Sequence, residues 1–214
     1  MKKLLIALAI VASTQAFAAS GLDGTYYNPP ADTTGWWDGF SAASNYLAND
    51  PTPSGTFTAT SVNYSGNDLT SIVTFLGNDG ASFVGTNGNM ADGVLVLKGW
   101  IDIAAGSQTL SVNHDDGFRM ILDGTNVAQT GCCGATDISV DFATAGWHSI
   151  ELDYNNAMYG NYTGGATLGL SENGQLVTAS DLSTMSPVPE SQNAALLVAG
   201  LGLIGIAARR RSKI

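Results

Sequence analysis

The chain has 214 residues, with 18 acidic side chains against 8 basic ones, 26 glycines and two cysteines. Six of the basic residues (Lys2, Lys3, Arg209, Arg210, Arg211 and Lys213) lie at the two ends, so residues 19–187 set seventeen carboxylates against Lys98 and Arg119 alone, a charge near −15. A body of this sign repels phosphate backbones and lacks the counterion release that drives nucleic-acid binding, which excludes nucleic acid as a partner; it favours solubility and attracts divalent cations.

The N-terminus divides into three parts. Lys2 and Lys3 give a positive start, Leu4 to Ala12 is an unbroken apolar run, and Ala16-Phe17-Ala18 supplies small residues for a signal peptidase. Residues 1–18 therefore read as a secretory signal peptide, with cleavage after Ala18 or after Ala19. The apolar run is far below the ~20 residues that span a bilayer. The following 19–177 is long enough for one domain with its own core.

A helix is expected over Asp38–Leu47, with Asp38 as its cap and Pro51 beyond its end. The adjacent Trp36 and Trp37 read as core plus rim. Alternating or β-rich runs then predict strands at Thr56–Tyr64, Thr70–Leu76, Gly93–Ile103, Gln108–His114, Phe118–Leu122, Asp137–Phe142, Trp147–Tyr154 and Ala166–Leu170. Glycine- and asparagine-rich turns separate them at the spacing of an all-β antiparallel sandwich or barrel. Asp123-Gly124, directly after Phe118–Leu122, is a two-residue hairpin signal. His114 is in phase with Leu110 and Val112 and faces the interior; His148 alternates with Ile150 and Leu152 and is placed likewise. Residues 178–187, rich in Ser, Thr and Pro, read as a flexible linker.

Cys132 and Cys133 are neighbours between Gly131 and Gly134. Export would bring them to an oxidising compartment. Adjacent Cα atoms stand ~3.8 Å apart, inside the lower limit for a relaxed disulfide, so a bond between them would be a tight ring that stiffens one loop. Such a bond cannot staple distant strands, and two cysteines alone do not make a structural zinc site.

The C-terminus is a second tripartite signal in reverse order. Val188-Pro189-Glu190-Ser191 precedes an uncharged run, 194–208, that contains Gly200, Gly202 and Gly205, and Arg209-Arg210-Arg211 follows. The run is short for a stable span, and the arginines would hold the end on the cytoplasmic side. Residues 188–214 resemble the PEP-CTERM sorting tail, with Ser191 where that motif's second proline is expected. The resemblance implies a Gram-negative exosortase substrate, held transiently at the inner membrane through a hydrophobic transmembrane helix and destined for the envelope or extracellular matrix. The other reading of this end is an ordinary membrane anchor.

Five stretches of the body carry a further resemblance. They are Gly21-Leu22-Asp23-Gly24-Thr25-Tyr26-Tyr27-Asn28, Gly99-Trp100-Ile101-Asp102-Ile103, the segment from Leu110 to Gly124 with Asp115-Asp116-Gly117-Phe118-Arg119 at its centre, the segment Ala145–Tyr154, and Ala166-Thr167-Leu168-Gly169-Leu170. In this order they resemble a PA14 domain over roughly residues 20–175. The resemblance implies a β-sandwich or barrel. It also implies a carbohydrate-binding role, since PA14 domains serve mostly as carbohydrate-binding modules in adhesins, glycosidases, toxins and signalling proteins. Fold alone does not fix function.

In lectin-type PA14 domains the residues matching Asp115 and Asp116 are joined by a cis peptide and hold a calcium ion, which takes sugar hydroxyls as further ligands. The chemistry is apt, because calcium takes about 6–8 oxygen ligands and carboxylates are the best of these. Successive side chains on an extended strand point to opposite faces, and a cis bond would bring both carboxylates to one side. The alternative is that the pair only shapes the turn before Gly117. By the same resemblance Asn155 and Asn156, after the Trp147–Tyr154 strand, are candidate metal ligands, and Tyr159 and Tyr162 candidate sugar-stacking residues. Cys132 and Cys133 would add a rigid apolar patch to the same rim.

Catalysis finds no support in the motifs. Asp115 and Asp116 are adjacent, whereas glycoside hydrolysis needs two carboxylates separated across the scissile bond. No Gly-x-Ser-x-Gly elbow, phosphate-binding loop or zinc cluster occurs. The expectation is a non-enzymatic, calcium-dependent carbohydrate- or exopolysaccharide-binding protein of the cell surface or matrix. The rivals are a structural matrix protein that uses the fold for protein contacts, without metal or sugar, and an accessory module for an enzyme made elsewhere.

Overall fold

The computed structural model describes residues 19–29, 40–158 and 163–186. The expected signal peptide, the Trp36-Trp37 pair, Tyr159, Tyr162, Val188, Pro189, Glu190 and the 194–208 segment lie outside the described residues. Among those described, no helix is long and apolar enough to cross a membrane.

In chain order the elements are β1 (Leu22–Tyr27), α1 (Ser41–Ala48), β2 (Gly55–Ala59), β3 (Asn63–Asn67), α2 (Ile72–Phe75), a 3-10 turn (Gly77–Ser82), β4 (Val84–Gly85), β5 (Val94–Ile103), β6 (Gly106–Asp115), β7 (Gly117–Leu122), β8 (Thr125–Thr130), β9 (Gly134–Phe142), β10 (Gly146–Asn155), β11 (Gly165–Glu172), β12 (Gln175–Leu176) and, after a short 3-10 turn, β13 (Leu182–Ser183). They form two antiparallel sheets. One has the order β4-β2-β1-β5-β10-β7-β8, with β13 also on β5; the other has β12-β11-β6-β9, with β3 also on β11.

The inward residues of both sheets meet in one core. Leu22 and Tyr26, Leu95, Leu97 and Ile101, Leu152 and Tyr154, and Phe118 and Met120 come from the larger sheet, facing Leu110, Val112, Leu168 and Leu170 of the smaller. Strand β5 departs from alternation where it begins, because Val94, Leu95, Val96 and Leu97 are all buried. Helix α1 explains this. It lies over the outer face there, packing Phe40 and Ala43 on Val94 beside Tyr27, Tyr46 and Leu47. Asp123 and Gly124, with φ of 47° and 76°, form the left-handed two-residue turn expected between β7 and β8.

Four expectations need correction. Thr70–Leu76 is not a strand: Ser71 caps α2 by accepting the Thr74 amide, and the buried residues Ile72, Phe75 and Leu76 follow the helical spacing. Thr56–Tyr64 is two strands, β2 and β3, because buried Asp79 accepts hydrogen bonds from the Thr60 amide and the Tyr64 hydroxyl and holds a turn between them. Residues 178–183 are not linker. Asp181 and Thr178 form a reciprocal cap, and Leu182 and Ser183 pair with β5. Gly99 makes room for that return, since a Cβ there would stand 2.4 Å from the Ser183 carbonyl. The helix expected at Asp38–Leu47 is present as Ser41–Ala48, but its N-cap position is Phe40, with no side-chain cap, and not Asp38, which lies outside the described residues.

Arg119 ties helix to sheet. Its guanidinium donates to Asp153 Oδ2 through Nε (2.9 Å) and Nη2 (2.5 Å), reaches Ser44 of α1 and lies 5.5 Å from the centre of the Phe40 ring. Asp153 is fully buried, and burial, with Glu151 adding to it, pushes its carboxyl up to about 6 against the pull of Arg119. Arg119→Met removes that pull and is expected to cost about 3–5 kcal/mol near pH 7 in urea unfolding. The folded carboxyl then lies still further above the unfolded value of 3.8, so the folded state holds its proton more tightly. Its contribution to stability is present at low pH and lost as pH rises through the folded value. The deficit should therefore be smaller near pH 5 than near pH 7; equal deficits at both would rule out Asp153 as the charge that Arg119 balances.

Candidate metal and ligand site

Several connections cross between the two sheets at one end of the sandwich. Asp115 ends β6 in the smaller sheet, and Gly117 begins β7 in the larger. Cys132-Cys133 lies between β8 and β9, Asn156–Gly164 between β10 and β11, and Asp68 and Asp92 flank the long crossing from β3 to β5. The register places these ends together: Gly117 and Val94 both pair with Asn155, Gly165 pairs with Asn67, and Gly134 with His114.

The Asp115–Asp116 peptide is cis. The carbonyls of the two residues are held from inside the core. Tyr154 Oη donates to the Asp115 carbonyl, and His114 Nδ1 lies 2.6 Å from the Asp116 carbonyl. A carbonyl only accepts, so Nδ1 carries a proton, and His114 Nε2 lies 2.9 Å from Thr136 Oγ1. His114 is buried against Phe118, in the interior position expected of it. His148 is half-buried at the opposite end, 2.7 Å from Asp123 Oδ2.

The carboxylates of the pair converge, each half-buried. An oxygen of each and both cysteine sulfurs lie within 4.8 Å of one another. Asp116 Oδ2 accepts the Ala157 amide at 2.7 Å, while Asp116 Oδ1 and Asp115 Oδ1 face the sulfurs. Burial pushes Asp116 up to about 6, with Asp115 adding to it and the Ala157 amide opposing; burial also raises Asp115. Two carboxylates crowded in a partly dry place resist ionising together, and a hard divalent cation relieves that.

Cys132 and Cys133 form a vicinal disulfide, with Cα atoms 3.5 Å apart and Cys133 at a φ of 39°. Cys133 Sγ stands 3.1 Å from Asp115 Oδ1. A disulfide sulfur has no proton to donate, so this is packing contact and no hydrogen bond. The bridge walls one side of the aspartate pair.

The two asparagines differ. Asn155 is buried, with Oδ1 turned onto Gly117, where a Cβ would stand 2.5 Å from it. Asn156 is buried too, but its Nδ2 donates inward to Asp68 Oδ1 (2.7 Å) and the Met90 carbonyl (2.8 Å). The sequence reading missed Asp68 and Asp92. Asp68 is fully buried and Oδ2 accepts the Gly164 amide at 2.6 Å; Asp92 Oδ1 accepts the Met158 amide at 3.1 Å. Their only local signals are Asn67-Asp68 and Asp92-Gly93, dipeptides that mark any turn.

No protein-family model matches the sequence, and no curated protein matches it. Solved structures do. The PA14 domain of the MpAFP antifreeze protein aligns with a TM-score of 0.62 at 21% identity, over 83% of this chain and 97% of that one. A PA14 sugar-binding domain from an RTX adhesin aligns at 0.56 and 23% identity, over 78% and 99%. The epithelial adhesin 6 A domain of Candida glabrata, solved in complex with Galβ1-3GlcNAc, aligns at 0.59 and 13% identity, over 81% and 90%. The chain has a PA14-like fold, shared with adhesin domains.

Gly117 begins β7 beneath Asn155, and the Thr130 and Gly131 carbonyls lie 3.1 and 3.2 Å from where its Cβ would stand. Gly117→Ala is expected to cost about 1–3 kcal/mol by overpacking, read as a lower urea midpoint. An unchanged midpoint would show that Asn155 yields.

Proposed function

We propose that this is an exported carbohydrate-binding protein of the cell surface or matrix, in which Asp115 and Asp116 hold a calcium ion. The observation that carries the reading is the convergence of the two adjacent carboxylates, both turned to one side in a partly dry setting at the end of the sandwich. Asp115 Oδ1 and Asp116 Oδ1 would ligate the ion, with Asn155 a further candidate ligand. The inward bonds of Asn156 Nδ2 make that residue a support. Bound calcium would supply open coordination positions for sugar hydroxyls. The vicinal disulfide would offer an apolar wall to the sugar ring, and Tyr159 and Tyr162 follow in the next segment as candidates for stacking. The solved domain bound to Galβ1-3GlcNAc and the sugar-binding domain of the RTX adhesin support a carbohydrate partner. Export rests on the N-terminal signal, and exosortase processing with transient inner-membrane anchoring rests on the Val188-Pro189-Glu190 tail.

Thermal melts of the purified protein with calcium and with EGTA test the metal. At calcium a hundredfold above Kd the ion adds about 2.7 kcal/mol, an upward shift of roughly 5–10 °C for a domain of this size. The Asp115→Ala/Asp116→Ala variant should show no shift and bind nothing on a glycan array. An unresponsive wild type would leave the structural matrix role as the better reading.

A further inference from the structure

Asp68 lies deeper than the aspartate pair, fully buried just after β3. Its two oxygens have different partners. Oδ1 accepts Asn156 Nδ2 on the chain leaving β10, and Oδ2 accepts the Gly164 amide on the chain entering β11. Each of these segments touches one member of the pair. The first continues to Ala157, whose amide donates to Asp116 Oδ2 at 2.7 Å. The second continues to Gly165, whose backbone underlies Asp115, since a Cβ there would stand 2.6 Å from Asp115 Oδ2. The same asparagine places its Oδ1 3.5 Å from Tyr154 Oη, the hydroxyl that holds the Asp115 carbonyl. The Asp68 carbonyl also accepts the Ala91 amide beside Asp92, which holds Met158.

From this geometry we propose that Asp68 is a positioning residue for the Asp115–Asp116 pair. It fixes the spacing of the two segments on which the two carboxylates rest, and so governs metal affinity without touching the metal. The proposal rests on the calcium reading. Asp68 is well suited to the task, because one carboxylate can accept two amides at once and its full burial excludes competing water. Asparagine in its place keeps one acceptor and turns an NH2 toward the other donor. Glutamate keeps the carboxylate and adds a methylene at a fully buried position, where interiors are close-packed.

Calcium titration calorimetry on wild type, Asp68→Asn and Asp68→Glu, each shown folded by circular dichroism at the working temperature, tests the role. Groups that orient metal ligands typically contribute roughly 10–100-fold in affinity, and a rise in Kd of that size is expected in both variants. A residue that only stabilises the fold would lower the melting temperature and leave the Kd of the folded protein alone, so an unchanged Kd in both overturns the proposal. A normal Kd in Asp68→Glu beside a weakened Asp68→Asn also overturns it, since charge alone would then suffice. Wild type that takes up no calcium brings down the calcium reading and this role together. Should neither variant fold, amide exchange in the wild type decides: slow exchange at Gly164 is required, and exchange at the open-chain rate overturns the clamp.

Discussion

A chain that leaves one sheet for another takes its peptide groups out of the hydrogen-bond ladders at the rim of an apolar core, and those groups must find partners elsewhere. In this protein the crossings that carry the Asp115–Asp116 pair, the cysteines and Asn156–Gly164 meet at one end of the sandwich, and side chains supply the partners. Asp116 takes the Ala157 amide, Asp92 the Met158 amide and Asp68 the Gly164 amide. Tyr154 and His114 answer the two carbonyls of the aspartate pair. The cluster of acids at this end is thus first a solution to a backbone problem, and any ligand chemistry is built on top of it.

That solution has an electrostatic consequence. Carboxylates bring negative charge to a place where burial raises Asp92, Asp115 and Asp116 alike. The body's two cations do not lie among these groups. Arg119 is bound to Asp153 and Glu151, and Lys98 to Glu151, on the outer face of the larger sheet. The compensation that the described residues bring to the crossing end is therefore amide dipoles and protons, and the proposed cation would add to it.

What could be read in the sequence divides by range. Asp115-Asp116-Gly117, the Asp123-Gly124 turn and the cysteine pair are local, because neighbours in sequence define their geometry. Most strands were legible by alternation, as in β6, where His114 stays in phase with Leu110 and Val112. Thr70–Leu76 was not, since its β-prone residue types concealed a helical spacing of buried positions that the Ser71 cap signals. β5 shows how tertiary cover overrides the rule, with α1 turning an alternating strand into a run buried on both sides. Asp68 was illegible for a deeper reason. Its partners, Asn156 and Gly164, are 88 and 96 residues away, and before folding nothing distinguishes it from the acid of an ordinary exposed turn.

The distinction between a binding site and a mere turn comes down to which atoms of the aspartate pair have structural duties. The turn is held by the carbonyls of Asp115 and Asp116, through Tyr154 and His114, and an asparagine at either position would present the same carbonyls. Of the carboxylate oxygens, Asp116 Oδ2 holds Ala157 and Asp115 Oδ2 rests over Gly165. The Oδ1 atoms of both residues instead face a disulfide that has no proton to offer. Retaining two acids there carries a desolvation cost that a neutral side chain would avoid. A cation in the space that those oxygens border would offset that cost, and this is the physical ground on which the proposed metal site differs from a turn alone.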